Sequence, residues 1–188
     1  MDKQLAGLKA QSIGASYEAE FDQSANMYQA NGLLTWLPTG PPVKFLNASN
    51  IITTGNAPPD RLVCLTAAGG RLLWVEIKTW KAKSRHKLTK DLHQLDIMKD
   101  FERFNAIGIY LVCWRFLDCP DEWILYWVKD LEICNGGIGF TREGGQRLDT
   151  MGFGAIPDWY DTVISEALKR PLRTDQDNLN FWEPGFPN

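Results

Sequence analysis

The sequence predicts an α/β fold in which a mixed central β-sheet is flanked by helices. Along its 188 residues, hydrophobic patterns occur in the order helix, strands, hairpin, helix, strand, strand, helix. Residues 107–114 form a near-continuous apolar run, which is typical of a strand buried on both faces. A hydrophobic content of 44% is enough for one sizeable core. We therefore predict a single domain over residues 1–170 and a carboxy-terminal tail over 171–188.

The first part of the chain predicts one helix and two short strands. A helix is predicted over residues 13–31, ending at Asn31-Gly32, because apolar side chains recur at helical spacing at Ile13, Tyr17, Phe21, Ala25 and Tyr28. Residues 33–37 predict a strand that ends at the Pro-rich turn 38–42. Residues 43–47 predict a second strand, and the polar stretch that follows predicts a loop up to Pro59.

The remaining elements begin with a β-hairpin. Two apolar runs, 61–66 and 71–78, surround Ala68-Gly69-Gly70, which predicts a turn with a glycine at positive φ. An amphipathic helix is predicted over 88–104, with Leu88, Leu92, Leu95 and Met98 on one stripe and Gln94, Ile97 and Phe101 on another. Strands at 107–114 and 123–128 follow, and a last helix over 158–170 is expected to break at Pro171.

Composition excludes several classes of protein. No apolar run approaches the roughly 18 residues of a membrane span, and the first residues lack the apolar segment of a secretory signal. The four cysteines, Cys64, Cys113, Cys119 and Cys134, form no Cys-x-x-Cys pair, and the two histidines, His86 and His93, are too few for a zinc site. We expect reduced core thiols in a cytosolic protein that binds no membrane and no small-molecule cofactor.

The net charge of −3 conceals a basic segment. Residues 78–90 carry Lys78, Lys81, Lys83, Arg85, Lys87 and Lys90 and no acidic residue. Such a segment is compatible with phosphate binding and equally with a solvated loop.

The hairpin brings three charged residues to one place in the sheet. If Ala68-Gly69-Gly70 is a three-residue loop, Leu62 lies opposite Glu76 and Asp60 lies opposite Lys78. Asp60, Glu76 and Lys78 then share one face, whereas a slip of one residue would move Asp60 to the other face.

Three charges on apolar strands are costly unless they are paired or bind a metal. Neighbouring carboxylates repel each other and suit Mg²⁺, and a lysine can stabilise charge on a phosphate or help to deprotonate a water. The set therefore indicates metal-assisted phosphodiester hydrolysis. The alternatives are that Glu76-Ile77-Lys78 marks a solvated edge strand and that Asp60 only begins a turn after Pro58-Pro59.

These residues resemble a known family. Pro59-Asp60, followed by Glu76-Ile77-Lys78, resembles the PD-(D/E)xK signature of restriction-endonuclease-like nucleases. The flanking segments resemble RecU-type Holliday junction resolvases over residues 14–130: Gly14-x-x-Tyr17-Glu18, Asn26-x-Tyr28, Leu34 to Pro42, Thr79, His93-Gln94 and Tyr110 to Phe116. A weaker likeness covers Thr141 to Gly145.

The resemblance implies a restriction-endonuclease-like core and assigns roles to the site. Asp60, Glu76, Gln94 and the Ile77 carbonyl would bind Mg²⁺, for which Mn²⁺ would substitute, and Lys78 would stabilise the transition state. Glu18 would orient water or complete a second metal shell. From the residues alone, Gln94 is compatible with a partly exposed helix face, and Glu18 is compatible with a solvated helix.

The chain also departs from the family. Ala57-Pro58-Pro59-Asp60 replaces the family's Ser-Thr-x-Asp, so a hydroxyl ligand two residues before the aspartate is missing. The basic amino-terminal extension of bacterial members is missing too, and the chain is more acidic than they are. These differences suggest a shortened, phage-encoded relative with the same core chemistry.

The basic segment and the symmetry of the substrate suggest how DNA would be held. Phosphates would be contacted by Lys81, Lys83, Arg85, Lys87 and Lys90, and by Lys44 on the second strand. Trp80 would stack on an unpaired base or, as we favour, cap the core. Two symmetric cuts require a C2 homodimer, for which aromatics including Trp123 and Trp127 offer apolar surface.

The sequence therefore predicts a Mg²⁺-dependent, structure-selective endonuclease in which a metal-activated water attacks the phosphodiester, resolving four-way junctions by paired symmetric nicks. Three alternatives remain: a PD-(D/E)xK nuclease for another DNA substrate, a junction-binding module that does not cut, and a protein-interaction domain whose motif is fortuitous. The last predicts no salt-sensitive affinity for DNA.

Overall fold

The structure of the protein is a computed structural model. It describes side chains for residues 14–40, 57–90, 92–151 and 156–170, and the backbone alone for 3–13, 43–47 and 50–53. The predicted tail over 171–188, the break at Pro171 and the side chains of Ile13 and Lys44 lie outside the described residues.

The architecture is mixed α/β, as predicted, with three α-helices among the described residues. The helices are α1 (Lys3–Ala30), α2 (Leu92–Glu102) and α3 (Tyr160–Lys169). The strands are β1 (Leu34–Pro38), β2 (Val43–Asn47), β3 (Asn50–Thr53), β4 (Arg61–Leu65), β5 (Arg71–Lys81), β6 (Arg85–Leu88), β7 (Ile107–Arg115), β8 (Glu122–Trp127), β9 (Ile138–Thr141), β10 (Gln146–Arg147), β11 (Thr150–Met151) and β12 (Ile156–Pro157).

Within the part of the chain that the structure describes, six strands form the central sheet, in the order β1-β4-β5-β7-β8-β10. Strands β5 and β7 are parallel, and the other neighbours in this sheet are antiparallel. Three two-stranded ribbons, β2–β3, β6–β9 and β11–β12, lie beside it. The predicted central sheet flanked by helices is therefore confirmed.

Both faces of β7 are buried, which explains its near-continuous apolar sequence. Ile107, Ile109, Leu111 and Cys113 join the core under α1 and α3, whereas Tyr110, Val112 and Trp114 join the core under α2. Gly108 allows the close approach of α2, since a Cβ there would lie 3.0 Å from Met98 Cβ and 2.9 Å from Val128 Cβ. Strand β7 is thus the centre of two hydrophobic layers.

Several predicted boundaries were wrong. Helix α1 begins at Lys3 rather than at residue 13, and β3 occupies part of the stretch predicted as a loop. Strand β5 continues to Lys81, and β6 covers residues 85–88, so the basic segment is largely a strand and a ribbon rather than a loop. Its period-2 alternation explains this, because Arg85 and Lys87 are exposed while His86 and Leu88 are half-buried.

Two predictions about individual side chains also need correction. All four cysteines are free, but only Cys113 is a buried core thiol, since Cys64 is half-buried and Cys119 and Cys134 are exposed. Trp123 is 1% exposed and belongs to the core, so it offers no surface to a dimer partner. No helix among the described residues is long and apolar enough to cross a membrane.

Candidate active site

The register of the β4–β5 hairpin positions the site. Arg61 pairs with Val75 and Leu65 with Arg71, so the pairing differs by two residues from the predicted one and continues toward Asp60 beside Glu76. The connection is longer than predicted, with a 3₁₀ turn at Thr66–Ala68 and then Gly69 and Gly70 at φ of 68° and 80°. A shift of two residues leaves every side chain on its predicted face, so the convergence of charges is preserved.

The carboxylates of Asp60 and Glu76 accept hydrogen bonds from backbone N–H groups across the two strands. The Asp60 carboxylate accepts a hydrogen bond from the Ile77 N–H, with Oδ2 2.8 Å from the nitrogen. The Glu76 carboxylate accepts one from the Asp60 N–H at 3.2 Å. Since β4 pairing with β5 ends at Val75, the side chain of Asp60 takes the place of the next strand residue as acceptor. The two carboxylates therefore lie side by side where the strands diverge.

Glu76 is fully buried and paired with Lys78. Its side chain has no exposure, and Lys78 Nζ forms an ion pair with Glu76 Oε1. Burial, and then the charge of Asp60, raise the pKa of Glu76 to about 8 despite Lys78. Burial also raises the pKa of Asp60. The pair therefore favours a further cation beside it.

The segment before Asp60 is fixed from two sides. His93 Nε2 lies 2.8 Å from the Ala57 carbonyl, and Gln94 Nε2 donates to the Pro58 carbonyl at 3.2 Å, so the beginning of α2 is tied to this segment. Thr39 donates its hydroxyl to the Pro59 carbonyl and its N–H to the Asp60 carbonyl. These bonds fix the position of Asp60 through the backbone of residues 57–60.

Gln94 is buried rather than partly exposed. It is 5% exposed, and its Oε1 has no hydrogen-bond partner among the described residues. Because its amide nitrogen is engaged by Pro58, the oxygen is available for another ligand. An unpartnered buried oxygen is costly unless a cation or water meets it.

The donor set fits a hard cation such as Mg²⁺. No group of three or more His, Cys, Asp or Glu residues suited to a metal occurs in the described parts of the chain, so two carboxylates would need amide oxygens to complete a site. Gln94 Oε1 is one such oxygen, and the Ile77 carbonyl belongs to the same strand residue whose N–H binds Asp60. Oxygen donors of this kind are those that Mg²⁺ takes.

Glu18 lies near the site but contacts it through Arg61. Its side chain is 40% exposed, and its carboxylate forms a salt bridge with Arg61 at 3.1 Å. Glu18 is thus a partly exposed carboxylate that Arg61 links to Asp60, and its role stays a prediction.

Arg61 is a residue that sequence reasoning missed. It is 6% exposed, donates to both oxygens of Asp22 at 2.7 and 3.1 Å, and donates to the Asp60 carbonyl at 2.8 Å. It thereby fastens α1 to the residue that carries the first carboxylate. The signal that could have indicated this role was a charged residue opening an otherwise apolar strand.

Arg61→Ala is expected to lower the free energy of unfolding by about 2–3 kcal/mol, because it removes several charge-assisted hydrogen bonds from a buried position. Urea unfolding monitored by circular dichroism measures this. Arg103→Ala is the control, since that side chain is 78% exposed and pairs with Asp100 three residues before it; its effect should stay below about 0.5 kcal/mol. Equal effects of the two changes would show that Arg61 does not hold α1.

The basic residues predicted to bind DNA are exposed beyond the end of the site. Lys81, Lys83, Arg85, Lys87 and Lys90 all reach solvent, and the side chain of Lys44 lies outside the described residues. On the other face of β6, His86 stacks on Trp80 with ring centroids 4.9 Å apart. Trp80 also contacts Trp114 and Phe140, so it packs against the core, as we favoured.

Comparisons with known proteins do not identify a family. No family model matches this chain, and no curated protein matches it. Among solved structures, the chain is similar to Hjc, a Holliday junction resolvase from the archaeal hyperthermophile Archaeoglobus fulgidus, at 15% sequence identity and a TM-score of 0.42. The alignment covers 69% of this chain and 94% of that one.

Proposed function

We propose that this protein is a metal-dependent, structure-selective DNA endonuclease that resolves four-way junctions by paired symmetric nicks. The observation that carries the proposal is the meeting of Asp60, Glu76 and Lys78 at the divergence of β4 and β5, with Glu76 fully buried. Buried neighbouring carboxylates weaken a protein unless they serve a cation, so their presence favours catalysis over mere binding. The RecU type, a restriction-endonuclease-like core and a phage origin remain predictions from the sequence.

Mg²⁺ is the proposed cofactor, with Mn²⁺ as a substitute. Asp60, Glu76, Gln94 Oε1 and the Ile77 carbonyl would hold it. When bound, it would polarise the scissile phosphate and lower the pKa of a water. The support is the donor set, which offers two carboxylates and an unpartnered amide oxygen.

Lys78 is proposed to stabilise negative charge that develops on the phosphate. Its side chain is 20% exposed and paired with Glu76, so it is both oriented by the site and open toward a ligand. A preorganised cation of this kind acts on the transition state without having to reorganise. Glu18 is proposed to orient water at the rim, where Arg61 restrains it.

DNA is proposed to lie along the exposed face that follows β5. Lys81, Lys83, Arg85, Lys87 and Lys90 would neutralise phosphates there, together with Lys44. Arg85 and Lys87 belong to the ribbon β6–β9, where Arg85 pairs with Thr141 and Lys87 with Gly139. This pairing fixes the backbone that carries the two side chains. A C2 dimer would present two such faces to a four-way junction.

The proposal is tested by cleavage of a labelled four-way junction beside linear duplex and single strand, each with Mg²⁺ or with EDTA. Paired symmetric nicks in the junction alone, and only with metal, are expected. Metal-dependent cutting of the other substrates would keep the nuclease and reject the junction preference. Tight junction binding without any cutting would favour a non-cleaving module, and no DNA affinity at any salt concentration would favour a protein-interaction domain.

Arg85→Ala is expected to weaken junction binding without abolishing cleavage at saturating protein. Loss of one phosphate contact should lower the slope of log Kd against log salt concentration by about 1. Fluorescence anisotropy of a labelled junction between about 50 and 200 mM salt, a range over which phosphate contacts respond strongly, measures this. Lys169→Ala, which removes an exposed lysine on α3, is the control and should leave the slope unchanged. The same slope in both variants would place the DNA elsewhere.

A further inference from the structure

A buried arginine at the beginning of β5 is held, among the described residues, by backbone carbonyls. Arg71 is 5% exposed, and its guanidinium donates to the carbonyls of Ala167 and Arg170, the latter at 2.8 Å. Its Nε has no hydrogen-bond partner, and no carboxylate forms a salt bridge with it, within the parts of the chain that the structure describes. Arg71 is five residues from Glu76 along the strand, or about 17 Å, so it is remote from the candidate active site.

Beside Arg71 lies an apolar groove. A cavity of about 270 Å³ is lined by Gly69, Gly70, Arg71, Leu72, Phe101, Phe104, Asn105 and Ala106. Leu72, Phe101 and Phe104 are 38%, 40% and 71% exposed. Large apolar side chains clustered at one surface groove indicate that something covers them.

Arg170 lies beside this groove. Its carbonyl is held by Arg71 Nη2, and its guanidinium lies 3.6 Å from Glu102 Oε1. Glu102 is the neighbour of Phe101 in the sequence and lies two residues before Phe104. Arg170, the last residue that the structure describes, therefore lies at the edge of the groove.

The segment that follows has the matching chemistry. Residues 171–188 carry apolar side chains at Leu172, Leu179, Phe181, Trp182 and Phe186. They also contain Asp175, Asp177 and Glu183 against the single basic residue Arg173. The segment thus offers aromatic rings for the groove and carboxylates for Arg71.

We propose that residues 171–188 dock in the groove formed by Leu72, Phe101 and Phe104 of their own chain, with an acidic side chain turned toward Arg71. Attachment at Arg170 keeps the segment at an effective concentration in the millimolar range, which favours this occupant over a second copy. The segment can span up to about 60 Å when extended, far more than the groove requires. The proposal is independent of the nuclease chemistry.

The test uses the full chain and limited digestion with chymotrypsin, with cleavage after Phe181 and Trp182 followed by mass spectrometry. Phe104→Asp is expected to accelerate this cleavage at least tenfold, since it places a charge in the groove. Leu117→Asp is the control, because Leu117 is 97% exposed on the β7–β8 connection, and its rate should equal that of the unchanged protein. Equal rates in all three proteins would overturn the proposal.

Two further measurements test the acidic side chains and the choice of occupant. The combined change Asp175→Asn, Asp177→Asn and Glu183→Gln, which removes all three carboxylate side chains and leaves every described residue unchanged, should also accelerate cleavage after Phe181. If it does not, the segment has no carboxylate at Arg71 and the charge part of the proposal is wrong. Protection is the cleavage rate of Phe104→Asp divided by that of the unchanged protein. A value that stays constant from about 0.1 to 100 µM protein supports docking within one chain, because an intramolecular contact does not depend on concentration. Protection that grows with concentration would assign the groove to a second copy and overturn the proposal.

Discussion

Lys78→Ala is expected to reduce the rate of junction cleavage about 100- to 1000-fold while leaving junction affinity within about twofold. The ammonium is proposed to act on charge that appears only in the transition state, and removal of one preorganised donor of this kind has a cost of that size. Single-turnover cleavage at saturating protein measures the rate, and anisotropy with Ca²⁺ in place of Mg²⁺ measures binding.

Lys81→Ala is the matched control, because it lies three residues further along β5 and is exposed at the strand's end. It should weaken binding slightly and leave the saturated cleavage rate unchanged. Asp60→Asn should abolish cleavage as Lys78→Ala does, since the amide oxygen can still accept the Ile77 N–H but carries no charge. A Lys78→Ala protein that cuts at the normal rate would show that Lys78 has no catalytic role.

The metal-free protein is expected to lose stability as the pH rises from about 4.5 to about 8, and Glu76 is the main cause. Its pKa in the folded state is raised to about 8, above the value near 4.5 of an unperturbed glutamate. The folded state then holds a proton that the unfolded state has released, so the stabilisation is complete below pH 4.5 and is lost as the pH rises through 8. The size is on the order of a few kcal/mol.

Glu76→Gln is the variant that isolates this effect. Glutamine carries no titrating proton, so the difference in free energy of unfolding between the two proteins should change with pH over this window and be constant above it. Urea unfolding at several pH values in EDTA measures it. An unchanged difference between about pH 5 and pH 8.5 would show that Glu76 is ionised throughout.

Mg²⁺ should reverse the loss of stability that the unchanged, metal-free protein shows with rising pH. A cation favours the ionised form of Glu76, so metal binding releases a proton and strengthens with pH. The rise in Tm produced by Mg²⁺ should therefore be larger at about pH 8.5 than at about pH 6, and small in Glu76→Gln. Equal increases at both pH values would place the metal away from Glu76.

The sequence was sufficient for the class of the fold and for the choice of candidate site residues, whose roles stay predictions. Apolar periodicity predicted the helix stripe of Phe21 and Ala25, both fully buried, and the two-faced burial of residues 107–114. It also brought Asp60, Glu76 and Lys78 to one face, because the alternation of side chains along a strand has a fixed period of two. A register error of two residues did not alter this result.

Only the tertiary structure decided how the site is held. The length of the β4–β5 connection was ambiguous in sequence, since a turn of three residues and one with a 3₁₀ segment share the same Gly-Gly ending. The burial of Gln94 depended on its bond to Pro58, and the position of Arg61 depended on Asp22 of α1. These contacts join residues 36 and 39 positions apart, and local patterns of hydrophobicity carry no information about such distant partners. The basic segment shows the same division: its charge was plain from composition, but its ribbon with β9 required residues 138–141 to come alongside in three dimensions.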